Sequence, residues 1–139
     1  MGSRTPPDDR TIDGDALKQR VVALCHENKA EDVVSLDVRE LVDYMDHLVI
    51  CTGRSPRQNR AIAEHVITQL KRTEGVLPLS RAGLDAGNWV CIDLVDVVLH
   101  VFEPETRTHY DLELLWGEAE RTEHAAPVGV EPAGDDLDL

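Results

Sequence analysis

The stretch Asn88 to Trp116, NWVCIDLVDVVLHVFEPETRTHYDLELLW, decides the fold of this chain. It contains two short apolar runs, Trp89 to Leu94 and Val97 to Phe102, which are rich in β-branched residues and almost adjacent. This pattern is typical of a β-hairpin. We place the turn at Leu94 and Val95. That turn would pair three sets of residues across the strands: Trp89 with His100, Cys91 with Val98, and Asp93 with Asp96.

The two faces of this hairpin differ in chemistry, because successive side chains of a strand point to opposite sides of a sheet. One face is purely aliphatic and is predicted to be core: Val90, Ile92, Val97, Leu99 and Val101. The other mixes aromatic and charged groups, as a binding surface would: Trp89, Cys91, Asp93, Asp96, Val98, His100 and Phe102. The competing interpretation makes this second face an ordinary half-buried surface beneath a helix.

Helical and extended patterns alternate in the rest of the chain and predict a mixed α/β fold, with a sheet of about five strands and helices packed on it. Before the hairpin we expect a helix over 13–28 capped by Asp13 or Asp15, strands over 32–38, 48–51 and 76–79, and one helical turn over 39–44. After it we expect a helical turn over 105–108 and an amphipathic element over 110–116, with Leu112, Leu115 and Trp116 partly buried.

The clearest helix boundary in the sequence lies at Ser55. This residue can cap a helix whose first position is Pro56, and Gln58 falls where a capping-box partner belongs. Gly75 would end the helix. Its buried stripe is predicted to be Ala61, Ile62, Val66, Ile67 and Leu70.

The length of 139 residues fits one folded domain with loose ends. We expect residues 1–12 to be a disordered N-terminal segment, residues 13–120 to form the domain, and residues 121–139 to be a disordered acidic tail. No apolar run approaches the roughly 20 residues of a membrane span, and the start of the sequence has no signal-peptide pattern. A cytoplasmic protein without a membrane partner is the simplest interpretation.

The net charge of −13 is concentrated in the C-terminal third of the chain. Residues 1–90 contain 14 acidic and 12 basic side chains, whereas residues 91–139 contain 13 acidic side chains and only Arg107 and Arg121 as bases. We expect no sequence-specific nucleic-acid binding, because such a surface would repel phosphates. A basic protein is a better partner, since complementary fields speed encounter and suppress wrong partners.

No arrangement of residues indicates a catalytic or metal site. The six histidines show no zinc spacing with cysteine or carboxylate, and Ser55 has no nearby histidine and acid that would make it a nucleophile. Cys25, Cys51 and Cys91 lie far apart in apolar segments and are expected to be buried free thiols. We therefore expect a protein that is not an enzyme and that needs no metal or cofactor.

One candidate anion site lies at the start of the second helix. A strand followed by Gly53-Arg54-Ser55 and a capped helix resembles the opening of a nucleotidyltransferase, in which a helix N-terminus offers amides to an anion. Arg54 and Arg57 would add positive charge. Such enzymes also need paired metal-binding carboxylates, usually Asp-x-Asp on a strand, and none follows Ser55. A nucleotide-binding or nucleotidyltransferase function at Gly53, Arg54, Ser55 and Arg57 is therefore the alternative rather than the main hypothesis.

Four blocks of the sequence carry a resemblance when they are taken in order: Asp46–Arg57 (DHLVICTGRSPR), Ala61–Glu64 (AIAE), Trp89–Phe102 and Tyr110–Trp116 (YDLELLW). Together they resemble the Iojap/ribosomal silencing factor family, from about Asp15 to Glu118. The resemblance implies a nucleotidyltransferase-like fold that lacks the catalytic carboxylates.

The same resemblance implies a function in translation. Members of that family bind the large ribosomal subunit through the universal ribosomal protein uL14, on the face that meets the small subunit. They thereby block subunit joining and lower translation when nutrients are short. A homodimer is left open. By position and by the chemistry of the hairpin, the expected partner-binding residues are Trp89, Asp93, Asp96, His100, Phe102, Tyr110, Glu113 and Trp116.

Two positions depart from the family pattern. The family usually has Glu-Gly in the loop before the hairpin, where this chain has Ala82-Gly83, so any contact made by that carboxylate is lost. The hairpin turn usually contains glycine where this chain has Val95. A β-branched residue resists positive φ. We therefore expect the turn to be less tight, and the two strands to pair less regularly, than the register given above requires.

Overall fold

The computed structural model describes residues 12–127. In chain order its elements are α1 (Gly14–Glu27), β1 (Glu31–Asp37), β2 (His47–Thr52), α2 (Pro56–Glu74), β3 (Ser80–Ala82), β4 (Trp89–Asp93), β5 (Val97–Phe102), α3 (Pro104–Tyr110), α4 (Leu112–Leu115) and β6 (Glu120–His124). The strands form one sheet in the order β3–β4–β5–β2–β1–β6. Only β2 and β5 are parallel neighbours; the other pairs are antiparallel. The mixed α/β prediction is confirmed, with six strands rather than about five, while the nucleotidyltransferase-like part stays a prediction.

Two apolar cores lie on opposite faces of the sheet. The larger core is covered by α1 and α2 and contains the aliphatic hairpin face, whose members have no exposed surface: Val90, Ile92, Val97, Leu99 and Val101. The smaller core includes Leu36, Ile50 and Phe102, and Trp89 and Trp116 pack against it. The central strand β2 contributes to both cores and is buried along its whole length, as the sequence predicts.

The hairpin exists, but its predicted register is wrong by two residues. Trp89 pairs with Phe102, Cys91 with His100 and Asp93 with Val98. The turn falls one residue later than predicted, at Val95 and Asp96, and the Leu94 amide donates to the Val97 carbonyl at 2.8 Å. A shift of two leaves every side chain on its predicted face. The division into an aliphatic and a mixed face therefore stands.

The expected loosening at Val95 is also wrong. Val95 adopts a positive φ of 77°, and its amide donates to the Asp93 carboxylate at 2.8 Å. That hydrogen bond satisfies the turn, and Val95 is 9% exposed. Burial of the isopropyl group and the aspartate contact offset the steric cost that a β-branched residue meets at positive φ.

Helix α2 begins as predicted. The Ser55 hydroxyl accepts the Gln58 amide at 3.1 Å, and the Gln58 side chain accepts the Arg54 amide at 2.9 Å. Gly75 ends the helix with a φ of 68°. Ala61 is exposed, contrary to prediction, because the buried stripe runs through Asn59, Ile62, Ala63, Val66, Ile67 and Leu70 at helical spacing.

Several local predictions need correction. Residues 76–79 form no strand, because Pro78 cannot donate a ladder hydrogen bond; pairing with β4 starts at the Leu79 amide, and β3 follows. Residues 39–44 begin with the single turn that was predicted, in which the Leu41 and Val42 amides donate to the Val38 carbonyl, and no longer helix follows. Leu115 is 73% exposed rather than partly buried.

The largest correction concerns residues 121–124, which were expected to belong to a disordered tail that begins after Glu120. Together with Glu120 they form β6, which pairs with β1 from Val33 to Asp37. His124 donates or accepts a 2.8 Å hydrogen bond with the Ser35 hydroxyl, and Arg121 forms a 3.0 Å ion pair with Glu113. Backbone pairing and polar contacts thus order a strand that buries little apolar surface. The remaining predictions of disorder, for residues 1–11 and 128–139, fall outside the described residues.

Candidate functional site

Four of the predicted partner-binding residues form one aromatic cluster: Trp89, His100, Phe102 and Tyr110. The Trp89 ring lies 4.9 Å from Phe102 and 4.6 Å from Tyr110, centroid to centroid. Phe102 has no exposed surface, Trp89 is half-buried and Tyr110 is 52% exposed. The cluster therefore runs from the smaller core out to solvent, and its outer part is available to a partner.

A hydrogen bond fixes the orientation of Trp89 and His100. The Trp89 indole Nε1–H donates to His100 Nδ1 at 3.0 Å. An indole N–H can only donate, so Nδ1 is the acceptor nitrogen and the neutral imidazole carries its proton on Nε2. Burial lowers the pKa of His100 to about 4, which keeps the ring neutral near pH 7. The cluster thus presents apolar rings and neutral polar groups rather than charge.

The segment α3–α4 positions Tyr110 and covers part of the mixed sheet face. Asp111 lies between the two helices with a φ of 47°, and its carboxylate accepts the Leu114 amide at 3.3 Å. Beyond it, Leu112 and Trp116 pack on the smaller core. One interpretation made this mixed face a binding surface, and the other made it a half-buried surface beneath a helix. Each of them holds for a part of the face. Phe102 is buried, whereas Trp89, Cys91, Val98 and His100 stay half-buried.

Glu113 belongs to an ion-pair network instead of the aromatic cluster. Its carboxylate accepts hydrogen bonds from Arg107 at 3.1 and 3.2 Å and from Arg121 at 3.0 Å. Arg107 also donates to the Thr52 hydroxyl at 2.9 Å and to the Asp32 carbonyl at 2.8 Å. Burial alone would raise the pKa of Glu113, but the two guanidinium groups outweigh it and lower that pKa. Glu113 thus ties α4 to β6 and to the sheet.

Asp93 and Asp96 lie at the opposite end of the hairpin from Trp89. The Asp93 carboxylate accepts the Val95 amide, and the Asp96 carbonyl accepts the Asp46 and His47 amides at 2.8 and 3.1 Å. Both aspartates are half-buried. The structure therefore brings the four members of the aromatic cluster together, and leaves these two acidic members of the predicted site apart from them.

Sequence reasoning missed several exposed apolar side chains near α4: Leu41, Leu114 and Leu115. Leu114 and Leu115 are 74% and 73% exposed. Residues 112–115 contain three leucines in four positions, and one helical turn cannot direct all three towards the same core. The crowding of leucines in residues 112–115 was the sequence signal that could have predicted exposed leucines at α4.

The candidate anion site at Gly53, Arg54, Ser55 and Arg57 is largely engaged by the chain itself. The amides of Arg54 and Gln58 are bound by the reciprocal cap, and the Arg54 guanidinium pairs with Glu31 at 2.9 Å. Asn59 Oδ1, a buried acceptor without a hydrogen-bond partner, lies against Gly53. An acceptor oxygen at this place disfavours an anion.

Other site chemistries find little support within residues 12–127. No group of three or more histidine, cysteine or acidic side chains there is placed to hold a metal ion. The three cysteines are free, as predicted, with Cys25 and Cys51 buried and Cys91 half-buried. No helix in this range is long and apolar enough to cross a membrane.

Comparison with known proteins identifies the family. A family model described as "Ribosomal silencing factor during starvation" matches residues 11–136. A ribosomal silencing factor from Bacillus subtilis is 39% identical over 97 residues, which cover 70% of this chain and 81% of that protein. A crystal structure of a protein from Chromobacterium violaceum superposes with a TM-score of 0.74 at 31% identity, covering 86% of this chain and 96% of that one.

A mouse relative named mitochondrial assembly of ribosomal large subunit protein 1 is 29% identical over 123 residues, or 86% of this chain and 53% of that protein. The chain belongs to the ribosomal silencing factor family. The printed names of the family and of the Bacillus subtilis relative describe factors that silence the ribosome, which is a regulatory role.

Proposed function

We propose that this protein is a non-enzymatic ribosomal silencing factor that acts in the cytoplasm. It binds the large ribosomal subunit through uL14 and sterically blocks joining of the small subunit, which represses translation under nutrient limitation. The observation that carries this proposal is the half-exposed aromatic cluster of Trp89, His100, Phe102 and Tyr110 in a chain of this family. Aromatic residues packed in this way commonly supply most of the binding energy of an interface.

The charge of the chain supports a basic ribosomal partner. The net charge is −13, and 13 of the acidic residues lie between positions 91 and 139. Within the proposed contact, Trp89, His100 and Tyr110 meet the partner and Phe102 supports them from below. Glu113 and Trp116 act by positioning α4, because both are engaged with the rest of the domain. Asp93 and Asp96 contribute to the charged surroundings.

Co-sedimentation with purified ribosomal subunits tests this function. We expect the full chain to sediment with large subunits and not with small ones, and to prevent formation of joined ribosomes on a sucrose gradient. Tyr110→Ala should weaken binding by roughly thirtyfold, the equivalent of about 2 kcal/mol. Tyr44→Ala is the matched control, since the two tyrosines are 52% and 58% exposed. Association with small subunits only, or unchanged binding by Tyr110→Ala, would contradict the proposal.

The alternative is nucleotide binding at Gly53, Arg54, Ser55 and Arg57. The engaged cap amides and the Arg54–Glu31 pair disfavour it. We expect no heat of binding when ATP and magnesium are titrated into the protein. Micromolar binding that Arg57→Ala removes would instead favour the alternative.

A further inference from the structure

Two histidines connect the edge strand β6 to the rest of the domain. His124, on β6, makes a 2.8 Å hydrogen bond through Nε2 with the Ser35 hydroxyl of β1. His26, on α1, lies with its Nε2 atom 3.2 Å from the His124 carbonyl oxygen. A carbonyl oxygen only accepts hydrogen bonds, so His26 Nε2 is the donor. Because β6 has a neighbouring strand on one side only, these side-chain contacts add directly to the single ladder that holds it.

Both imidazole rings lie at the margin of the larger core. His26 and Ser35 are 6% and 3% exposed, and His124 is half-buried. His124 pairs with Val33, whose side chain belongs to the larger core. Paired residues of neighbouring strands point to the same face of a sheet, so His124 lies on the α1 side. A positive charge on either ring would therefore be poorly solvated.

The charged groups that act on His124 are basic. They are Lys18 and His26, and both lie on α1. Two acids, Asp37 and Glu120, lie on the same face of β1 and β6, but each is four residues along its strand from the Val33–His124 pair. That separation is roughly 13 Å, which exceeds the screening length of about 10 Å at 0.1 M salt. These acids therefore do little to offset a positive charge on His124.

Other charged side chains near the two histidines are engaged elsewhere. Glu27 adjoins the buried histidine of α1 in the sequence, but its carboxylate binds His65 of α2 at 2.8 Å. Arg121 and Glu123 alternate with the histidine of β6 along the strand, so they point to the opposite face of the sheet. There they form an ion pair with each other at 2.8 Å.

We propose that β6 detaches from β1 when His26 and His124 take up protons, while the rest of the domain stays folded. In the detached state both rings reach water and move away from each other and from Lys18. Both apolar cores are built without residues 120–124, so an edge strand can open locally without disrupting them. This inference goes beyond the proposed function and does not depend on it.

The direction of the pH dependence follows from proton linkage. Burial lowers the pKa of His26, although its hydrogen bond to the His124 carbonyl opposes this. Burial, with Lys18 and His26, lowers the pKa of His124. The detached state therefore binds protons more readily than the attached one. Attachment is complete above the ordinary histidine value of 6.5 and weakens as the pH falls below it.

Hydrogen exchange of the full chain, followed by ¹⁵N NMR at pH 7 and pH 5, tests this inference. Exchange is expressed as protection factors, which correct for the intrinsic effect of pH on amide exchange. Protection of residues 120–124 should fall at least about fivefold more than protection of residues 62–70 in α2, which report unfolding of the whole domain. Equal losses in the two segments, or no loss in residues 120–124, would overturn the proposal.

Three variants identify the titrating groups, after near-ultraviolet circular dichroism at pH 7 has shown that each is folded. His26→Gln/His124→Gln keeps polar side chains that cannot titrate, so residues 120–124 and 62–70 should lose protection equally at pH 5. Lys18→Glu places a carboxylate beside His124 and should raise protection of β6 at pH 5 above that of the wild type. His65→Gln, which alters another half-buried histidine, is the matched control and should behave as the wild type.

The same variants show how the inference could fail. If the double glutamine variant kept the wild-type loss of β6 protection at pH 5, the two histidines would not control the strand. If Lys18→Glu lost β6 protection as fully as the wild type, charge repulsion would not be the cause. An effect of His65→Gln equal to that of the double variant would likewise contradict the proposal.

Discussion

At the scale of single residues, Trp89 serves both the fold and the proposed surface. One side of its ring packs on buried Phe102 and the smaller core, while Tyr110 covers it from the solvent side. Its indole N–H donates a hydrogen bond to His100 Nδ1 at 3.0 Å. An anchor held by packing on one side and by a hydrogen bond at its edge is preorganised, so a partner that contacts it loses little conformational entropy on binding.

Trp89→Ala should therefore lower stability and binding together. We expect a loss of about 2–3 kcal/mol in unfolding free energy, below the range for a fully buried aromatic, since the larger core on the other face is untouched. The variant should remain folded at 25 °C and fail to co-sediment with large subunits. Val98→Ala, half-buried at the other end of the same face, should cost stability without affecting binding. Normal sedimentation by folded Trp89→Ala would move the contact elsewhere.

His100 makes stability depend on pH in a defined window. Burial lowers the pKa of His100 from 6.5 to about 4 in the folded chain. Between these values the unfolded chain binds a proton that the folded chain does not, so the contribution is complete above pH 6.5 and falls as the pH drops towards 4. Burial lowers the pKa values of His26 and His124 as well, with the same sign. Urea unfolding at pH 7 and pH 5 should show a smaller difference for His100→Phe than for the wild type. An identical difference would show that His100 is not the titrating group.

At the scale of elements, sequence patterns correctly predicted the helix ends and strand faces that are determined by residues within a single segment. The Ser55-Pro56-Gln58 cap, the Gly75 end and the aliphatic hairpin face depend on spacing within one segment, and all are present. The elements that were mispredicted depend on distant partners. Residues 120–124 are polar, and they are ordered by β1 and by Glu113, which no local pattern shows. The sequence predicted which residues belong to the aromatic cluster but not their contacts. Those contacts depend on the true strand register and on the position of α3 over the sheet.

Strand β6 should accordingly matter to stability. Ending the chain after Ala119 removes five residue pairs with β1, the 2.8 Å Ser35–His124 hydrogen bond and the Arg121–Glu113 ion pair. We expect a loss of at least about 2 kcal/mol in unfolding free energy, at roughly 0.5–1.5 kcal/mol net per hydrogen bond. Ending it after Pro127 should leave both stability and co-sedimentation unchanged. Equal urea midpoints for the two truncations would mean that β6 adds nothing to the domain.

At the scale of the whole molecule, the aromatic cluster and its acidic surroundings are expected to play different parts in the proposed contact. The aromatic cluster is neutral, because the Trp89 hydrogen bond engages His100 Nδ1 and burial keeps the ring uncharged. Acidic side chains that contribute to the net charge of −13 lie outside the cluster, among them Asp37, Glu118 and Glu120, which line one depression. Short-range packing at the cluster governs how long a partner stays, whereas the surrounding field governs how fast it arrives.

Salt should therefore act on the association rate. The field of exposed charges is screened over about 10 Å at 0.1 M and about 3 Å at 1 M ionic strength. Raising salt from 50 to 300 mM should slow binding to the large subunit several-fold while dissociation changes little, as stopped-flow measurements can resolve. Tyr110→Ala should speed dissociation without altering the salt dependence. If salt acted chiefly on dissociation, charged side chains would have to lie inside the contact, and the neutral aromatic cluster would not be its centre.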